Sequence, residues 1–317
     1  MESHKEIKSI LKELSQMKKQ SLFLIIIAMI LTISACTEKE YKYLADEKAG
    51  IEYYQNGSYD KALASLKKAY GSGSMEAAYY LGEMYRQGNG VEKDRIVSCN
   101  YYQKSAEGGN RKAFLRAGTC HIPDTRDGEG FKETFKWFKK ASEELKETDL
   151  NEAEKKDMYI RLGIMYYAGK GTLQDWSEAA KWFEKAAEMG DAYSQGGLAL
   201  LYYSGDGVLT DRKKARYWAE KAAAQGNSTG EGILGMLYQY SLPPDKDMRK
   251  AVYWYKKSAD QGNPISQYQL AVIYENGDGV PKNLEKARYY YEQASKSKYD
   301  LTKNSLKEFE SRNKSLQ

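Results

Sequence analysis

Residues 194–227 read SQGGLALLYYSGDGVLTDRKKARYWAEKAAAQGN, and the pattern is that of a helical hairpin. Ser194, Leu198, Ala199 and Tyr202 fall at i, i+4, i+5 and i+8, on one face of a helix. The glycine-rich break Gly205-Asp206-Gly207-Val208 ends it. Ala215, Trp218, Ala222 and Ala223 mark one face of a second helix, which closes at Gly226 and leaves Asn227 placed to cap the next.

Outward from this stretch the same features recur in register. The bulky residue of the second helix returns as Tyr101, Trp137, Trp182, Trp218, Trp254 and Tyr290, in steps of 36, 45, 36, 36 and 36 residues. Small residues hold the equivalent place in the first helices: Gly82, Gly118, Gly163, Ala199, Gly235 and Ala271. They imply that first helices approach one another closely. Closing pairs repeat as Gly109-Asn110, Gly190-Asp191, Gly226-Asn227 and Gly262-Asn263. Because a two-helix unit cannot bury its apolar faces alone, successive units must stack on a continuous core. The fold class is all-α, an α-solenoid of about seven two-helix repeats.

These residues resemble the SEL-one-like repeat family, a relative of the tetratricopeptide repeats. One copy of its pattern is Leu81-Gly82, Tyr85, Gly88-Asn89-Gly90-Val91, Tyr101 and Lys104-Ser105-Ala106. Another is Leu162-Gly163, Tyr166, Gly169-Lys170-Gly171, Trp182 and Lys185-Ala186-Ala187. The resemblance covers residues 75–296 and implies a right-handed superhelix that binds other proteins. It implies no reaction and no cofactor, and a fold by itself is not a function.

The chain divides further by composition. Residues 1–35 read as a signal peptide: Lys18 and Lys19 precede an apolar run from Leu22 to Ile33. The ending Ile33-Ser34-Ala35-Cys36 resembles the bacterial lipobox, whose cysteine is lipidated and becomes the mature N-terminus. The competing reading, a plain transmembrane anchor, needs about 20 apolar residues, more than the run supplies. Met17 is the better translation start, since it puts Met-Lys-Lys directly before the apolar core. An acyl chain on Cys36 would hold the protein at the cell envelope, facing the periplasm, and Thr37 after the cysteine resembles the pattern of outer-membrane proteins.

Residues 36–43 form a polar linker. Residues 44–74, with Gly50, Tyr53, Gly57, Tyr59, Ala62, Leu66 and Ala69 at tetratricopeptide spacing, form an N-terminal cap repeat. The third regular repeat replaces the glycine loop with Ile122-Pro123-Asp124 and gains nine residues between Trp137 and Met158. That insertion, Ser142 to Asp157, reads as a solvated, extended helix end. The sixth unit carries Ser241-Leu242-Pro243-Pro244 as its loop, which forbids continued helix. Residues 297–317 read as one last capping helix, with Leu301, Leu306 and Phe309 in a polar background.

The 317 residues are 41% apolar and 29% charged, with a formal charge of +5 that falls to +3 without residues 1–35. No basic block survives to neutralise many phosphates, so nucleic acid is not an expected partner. His121 occupies the place held by Tyr85, Tyr166 and Tyr202 and reads as a core residue rather than a base. No His or Cys cluster has metal-ligand spacing and no serine sits in a nucleophile elbow. Catalysis is not expected. Its form would be a cell-wall or β-lactam hydrolase, which requires a nucleophile and a base together. Cys99 and Cys120 could pair in an oxidising compartment, but Cys99 aligns with the outward Arg216, and two separate thiols are the expectation.

The candidate binding surface follows from the helical wheel. With Leu198 at the centre of the buried side, Gly196, Leu200 and Tyr203 face the inner curve, with counterparts Tyr79, Glu83 and Arg86; Ile160, Ile164 and Tyr167; Gly232, Met236 and Gln239; Tyr268, Val272 and Glu275. Where a polar face is expected, Tyr79, Ile160, Ile164, Tyr167, Leu200, Tyr203, Met236 and Tyr268 make a mostly apolar stripe. Two readings stand. Neighbouring first helices bury part of it against each other, or it lines a groove for a protein or peptide. The partner is then a protein, either an envelope component held by a scaffold or a secreted toxin neutralised by an immunity protein.

Overall fold

The computed structural model describes residues 44–120, 129–242, 244–297 and 300–313. Among these residues every regular element is a helix. They fall into two compact units, the first ending at Cys120 and the second following it. The leader, Cys36, His121 and the Ile122-Pro123-Asp124 loop lie outside the described residues.

In the first unit, α1 (44–55) and α2 (Tyr59–Gly71) form a tight hairpin turned at Gly57, whose φ of 80° a side chain would resist. Then come α3 (Met75–Gln87), α4 (Arg95–Glu107) and, after a 3-10 turn at Arg111–Ala113, α5 (Phe114–Cys120). Ala62, Leu66, Ala69, Ala77, Leu81 and Met84 form the core that joins the first two hairpins.

The second unit opens with α6 (Glu129–Glu144) and α7 (Glu152–Ala168). Regular hairpins follow: α8 (Trp176–Glu188), α9 (Ala192–Ser204), α10 (Arg212–Ala224), α11 (Ser228–Tyr240), α12 (Met248–Asp260), α13 (Pro264–Asn276) and α14 (Leu284–Ser295). The pair α9–α10 shows how sequence makes the unit. Asp191 caps α9 by accepting from the Ser194 amide at 2.7 Å, and Gly205, at φ 85°, ends it. Asn227 caps α11 through the Gly230 amide. Ser194, Leu198, Ala199, Tyr202, Ala215, Trp218, Ala222 and Ala223 are all buried.

One hydrogen bond closes every regular hairpin. The amide of the residue capping the second helix donates to the carbonyl of the loop tyrosine: Asp94 to Tyr85, Asp175 to Tyr166, Asp211 to Tyr202, Asp247 to Tyr238 and Asn283 to Tyr274, at 2.8–3.0 Å. The Asp247 bond forms although that loop carries Ser241-Leu242 and a proline pair instead of Gly-x-Gly. The clamp therefore belongs to the tyrosine and the cap, not to the loop glycines. Stacked rings reinforce it where Tyr85 meets Tyr101 and Tyr274 meets Tyr290.

The small residues of the first helices serve a contact other than the one their register suggests. A Cβ on Gly82 would lie 2.7 Å from the Tyr102 ring, on Gly163 2.5 Å from Phe183 and on Gly235 2.5 Å from Tyr255. Each glycine admits an aromatic ring of its own hairpin's second helix. Close approach between neighbouring first helices occurs instead at Gly196 and Gly232. Both are buried, because Asn227 lies against the first and Ser266 against the second. The helical wheel had turned these two glycines toward the open side; the next hairpin covers them.

Two further expectations change. Residues 142–157 are not one extended helix end: α6 stops at Glu144, a 3-10 turn spans Glu147–Asp149, and α7 starts afresh. Asn151 and Glu154 form a reciprocal capping box that fixes the new start. The C-terminal end is two short helices, α15 (Asp300–Lys303) and α16 (Ser305–Arg312), rather than one. Phe309 still closes the stack, 5.2 Å from the Tyr291 ring and buried.

Gly235→Ala should destabilise the protein by about 1–3 kcal/mol in a urea melt, because the Tyr255 ring cannot yield. In a Tyr255→Ala background the same change should be neutral or stabilise by up to about 1 kcal/mol, the helix-propensity gain alone. Equal stabilisation in both backgrounds would refute the ring-over-glycine contact.

Candidate functional site

The first helices carry the candidate surface. In the second unit α7 positions Ile160, Ile164 and Tyr167, α9 positions Leu200 and Tyr203, α11 positions Met236 and α13 positions Tyr268; Tyr79 lies on α3 of the first unit. Every one of these eight side chains is half-buried. Both readings of the stripe stay open: α9 and α11 touch, as do α11 and α13, yet no member is fully covered.

Rings of the second helices cover three members of the stripe. Tyr167 packs 6.1 Å from Phe183, and Tyr268 meets Tyr291 edge-on at 5.8 Å. In the first unit Tyr79 lies 5.9 Å from Tyr102. Second-helix rings thus support these members of the stripe. Burial raises the Tyr203 hydroxyl's pKa, while Arg212 opposes the shift, and the Arg212 guanidinium sits 5.6 Å from the Tyr203 ring.

The same rings bring polar ends to this face. The Tyr102 hydroxyl donates to Glu83, the Tyr255 hydroxyl to Gln239 and the Tyr291 hydroxyl to Glu275, each at 2.7 Å. Sequence reasoning placed Glu83, Gln239 and Glu275 on the inner side but missed the tyrosines, whose register follows the conspicuous Tyr101, Trp254 and Tyr290 by one residue.

Around Glu83 a charged network replaces the apolar stripe. The carboxylate is buried and accepts from Arg86, from Tyr102, from Gln87 at 2.8 Å and from Arg116 Nε at 3.1 Å. Burial alone would raise its pKa; the bonds from Arg86, Tyr102 and Gln87 outweigh that and hold it at about 2. Burial, then the bond to Glu83, pushes the Tyr102 hydroxyl up. Glu275 repeats the motif more openly, with its pKa lowered against burial by Arg312 and Tyr291.

Cys99 and Cys120 form a disulfide with Cα atoms 5.5 Å apart. The expectation of separate thiols fails because α4 and α5 pack directly together, bringing Cys99 toward α5 rather than leaving it in solvent. Among the described residues no group of His, Cys, Asp and Glu side chains could hold a metal ion. Nor is any helix among them long and apolar enough to cross a membrane.

Comparison with known proteins gives the repeat a name. The family model described as Sel1 repeat matches residues 76–110, 131–144, 157–191, 192–227, 233–263 and 264–299. A protective antigen of uropathogenic Escherichia coli displaying an SLR fold is 31% identical over 86% of this chain, with a TM-score of 0.56. The chain spans 58% of that antigen's length. A Sel1 repeat protein from Oxalobacter formigenes is 29% identical, with 80% of this chain and 98% of that one covered and a TM-score of 0.50.

The Glu83 network makes stability depend on acid. A carboxyl whose folded pKa lies below its unfolded value stabilises above the unfolded value and loses that contribution as pH falls toward the folded one. Between about pH 4.5 and about 2 the protein should lose on the order of 3 kcal/mol through this group. Glu83→Gln should be less stable at pH 7 and show a flatter melting temperature across that window. A parallel decline in both proteins would contradict the assignment.

Proposed function

The chain belongs to the Sel1 repeat family, and from that membership we propose that it is a non-catalytic protein-binding scaffold lipid-anchored at the bacterial envelope. The partner lies along the exposed side of the first helices, in the groove of the solenoid. The observation that carries this reading is the half-buried stripe Ile160, Ile164, Tyr167, Leu200, Tyr203, Met236 and Tyr268. Half-covered aromatic and aliphatic side chains in consecutive hairpins offer rigid, amphipathic contact area, the kind that dominates protein interfaces.

The placement at the envelope rests on two features. The leader and the Ile33-Ser34-Ala35-Cys36 ending supply the anchor through Cys36. The Cys99–Cys120 disulfide supports an oxidising compartment, because such bonds are rare in the reducing cytosol.

Affinity capture from detergent-solubilised membranes tests the function. The native chain should retain a discrete protein that Tyr167→Glu with Tyr203→Glu loses by at least about tenfold while its helical melt stays unchanged. Undiminished capture would contradict the groove, and collapse of folding would show these residues to be core alone. A resident envelope protein supports the scaffold, a secreted effector would replace it with an immunity role, and turnover of a penicillin-type substrate would overturn both.

A separate fractionation tests the location. With thiols alkylated before lysis, Cys99 and Cys120 should be recovered joined, and Cys36→Ala should move the protein out of the membrane fraction. Free thiols, or an unchanged fraction for Cys36→Ala, would contradict the envelope assignment.

A further inference from the structure

We propose that the first unit holds an anion-accepting pocket that takes a carboxylate from an acidic segment of the protein partner; this rests on the protein-binding reading and assigns that partner a chemistry. A cavity of about 280 Å³ opens between α3, α4 and α5. Arg86, Lys93, Arg95 and Arg116 line it, and among the described residues no carboxylate does. The described acids Glu83 and Asp94 beside it are both engaged. Glu83 is saturated beneath the arginines, and Asp94 caps α4 through the Val97 amide at 3.0 Å.

The walls are fixed before any ligand arrives. Glu83 grips Arg86 through Nε and Nη2 and Arg116 through Nε. Arg95 Nη2 donates to the Cys120 carbonyl at 2.8 Å, and the disulfide ties α4 to α5 at the same place. Cations held in position lose little freedom on binding, and guanidinium forks match a carboxylate. The cavity is small, sized for one or two acidic side chains rather than a folded element.

The charge is not something the repeat needs for packing. In later hairpins the Glu83 position is Ile164, Leu200, Met236 and Val272, and the Arg86 position is Tyr167, Tyr203, Gln239 and Glu275. Among the described residues, only the first of these hairpins places a buried carboxylate beneath arginines and opens a basic cavity over them.

The test is anisotropy of fluorescein-labelled octaglutamate and octaglutamine peptides with the full chain in low salt. Octaglutamate should bind and octaglutamine should not. Lys93→Gln with Arg95→Gln, both exposed and outside the Glu83 network, should weaken octaglutamate by at least about tenfold with an unchanged melt. Arg288→Gln with Lys296→Gln, the same charge loss in the second unit, should leave binding as it was.

Three results would overturn the pocket: no binding to the native chain, equal loss in both double variants, or inorganic phosphate binding as tightly as the peptide. Its failure is distinguishable from failure of the scaffold reading. Failure of the native chain to bind the peptide, with intact capture through Tyr167 and Tyr203, sinks the pocket alone. Absence of any captured protein sinks the scaffold and leaves the peptide measurement to be judged on its own.

Discussion

A ring of the second helix laid across a first-helix residue that has no side chain is the contact on which the rest of the structure depends. Tyr102 over Gly82, Phe183 over Gly163 and Tyr255 over Gly235 are buried rings in places where a single methyl group would collide. A thirteen-residue helix pair has too little surface to be stable alone. Sinking an aromatic ring into the seam removes a large apolar area from water in these three hairpins. The opposite faces are left to the next hairpin, which covers Gly196 through Asn227 and Gly232 through Ser266. Each unit therefore grows by repetition.

The same contact shapes the surface. Tyr102 and Tyr255, crossing their glycines, emerge on the first-helix side with their hydroxyls, so the packing device also supplies hydrogen-bond donors to Glu83 and Gln239, and Tyr291 does the same for Glu275. Where the ring is Phe183 there is no hydroxyl to satisfy, and the neighbouring positions are Ile164 and Tyr167. Two chemistries follow on one chain: a charged cluster in the first unit, and a mostly apolar stripe along the second.

The register made the hairpins, their loops and their caps legible, because helix period and glycine punctuation are local properties of the chain. What could not be read depends on which neighbour arrives. A recurring glycine announces that something bulky comes close, but Gly82 and Gly235 do not say whether it is a helix or the ring of Tyr102 or Tyr255. A wheel drawn for α9 alone turned Gly196 outward, since the wheel has no knowledge of Asn227 in the following hairpin. Cys99 was set outward by alignment with Arg216, a residue whose own neighbour is a regular helix rather than the short α5. The insertion after α6 had the composition of a solvated helix, and only the Asn151–Glu154 box marked a break. The stripe itself was readable as a pattern, whereas its half-burial is a property of the stack.

The central claim, that the first-helix face of the second unit is where another protein sits, is tested most directly by placing a photo-crosslinking phenylalanine analogue at Tyr203 in living cells. The account predicts one discrete adduct at a larger mass on illumination, absent when the analogue stands at Arg288. No adduct at Tyr203, or the same adducts at both positions, would contradict it.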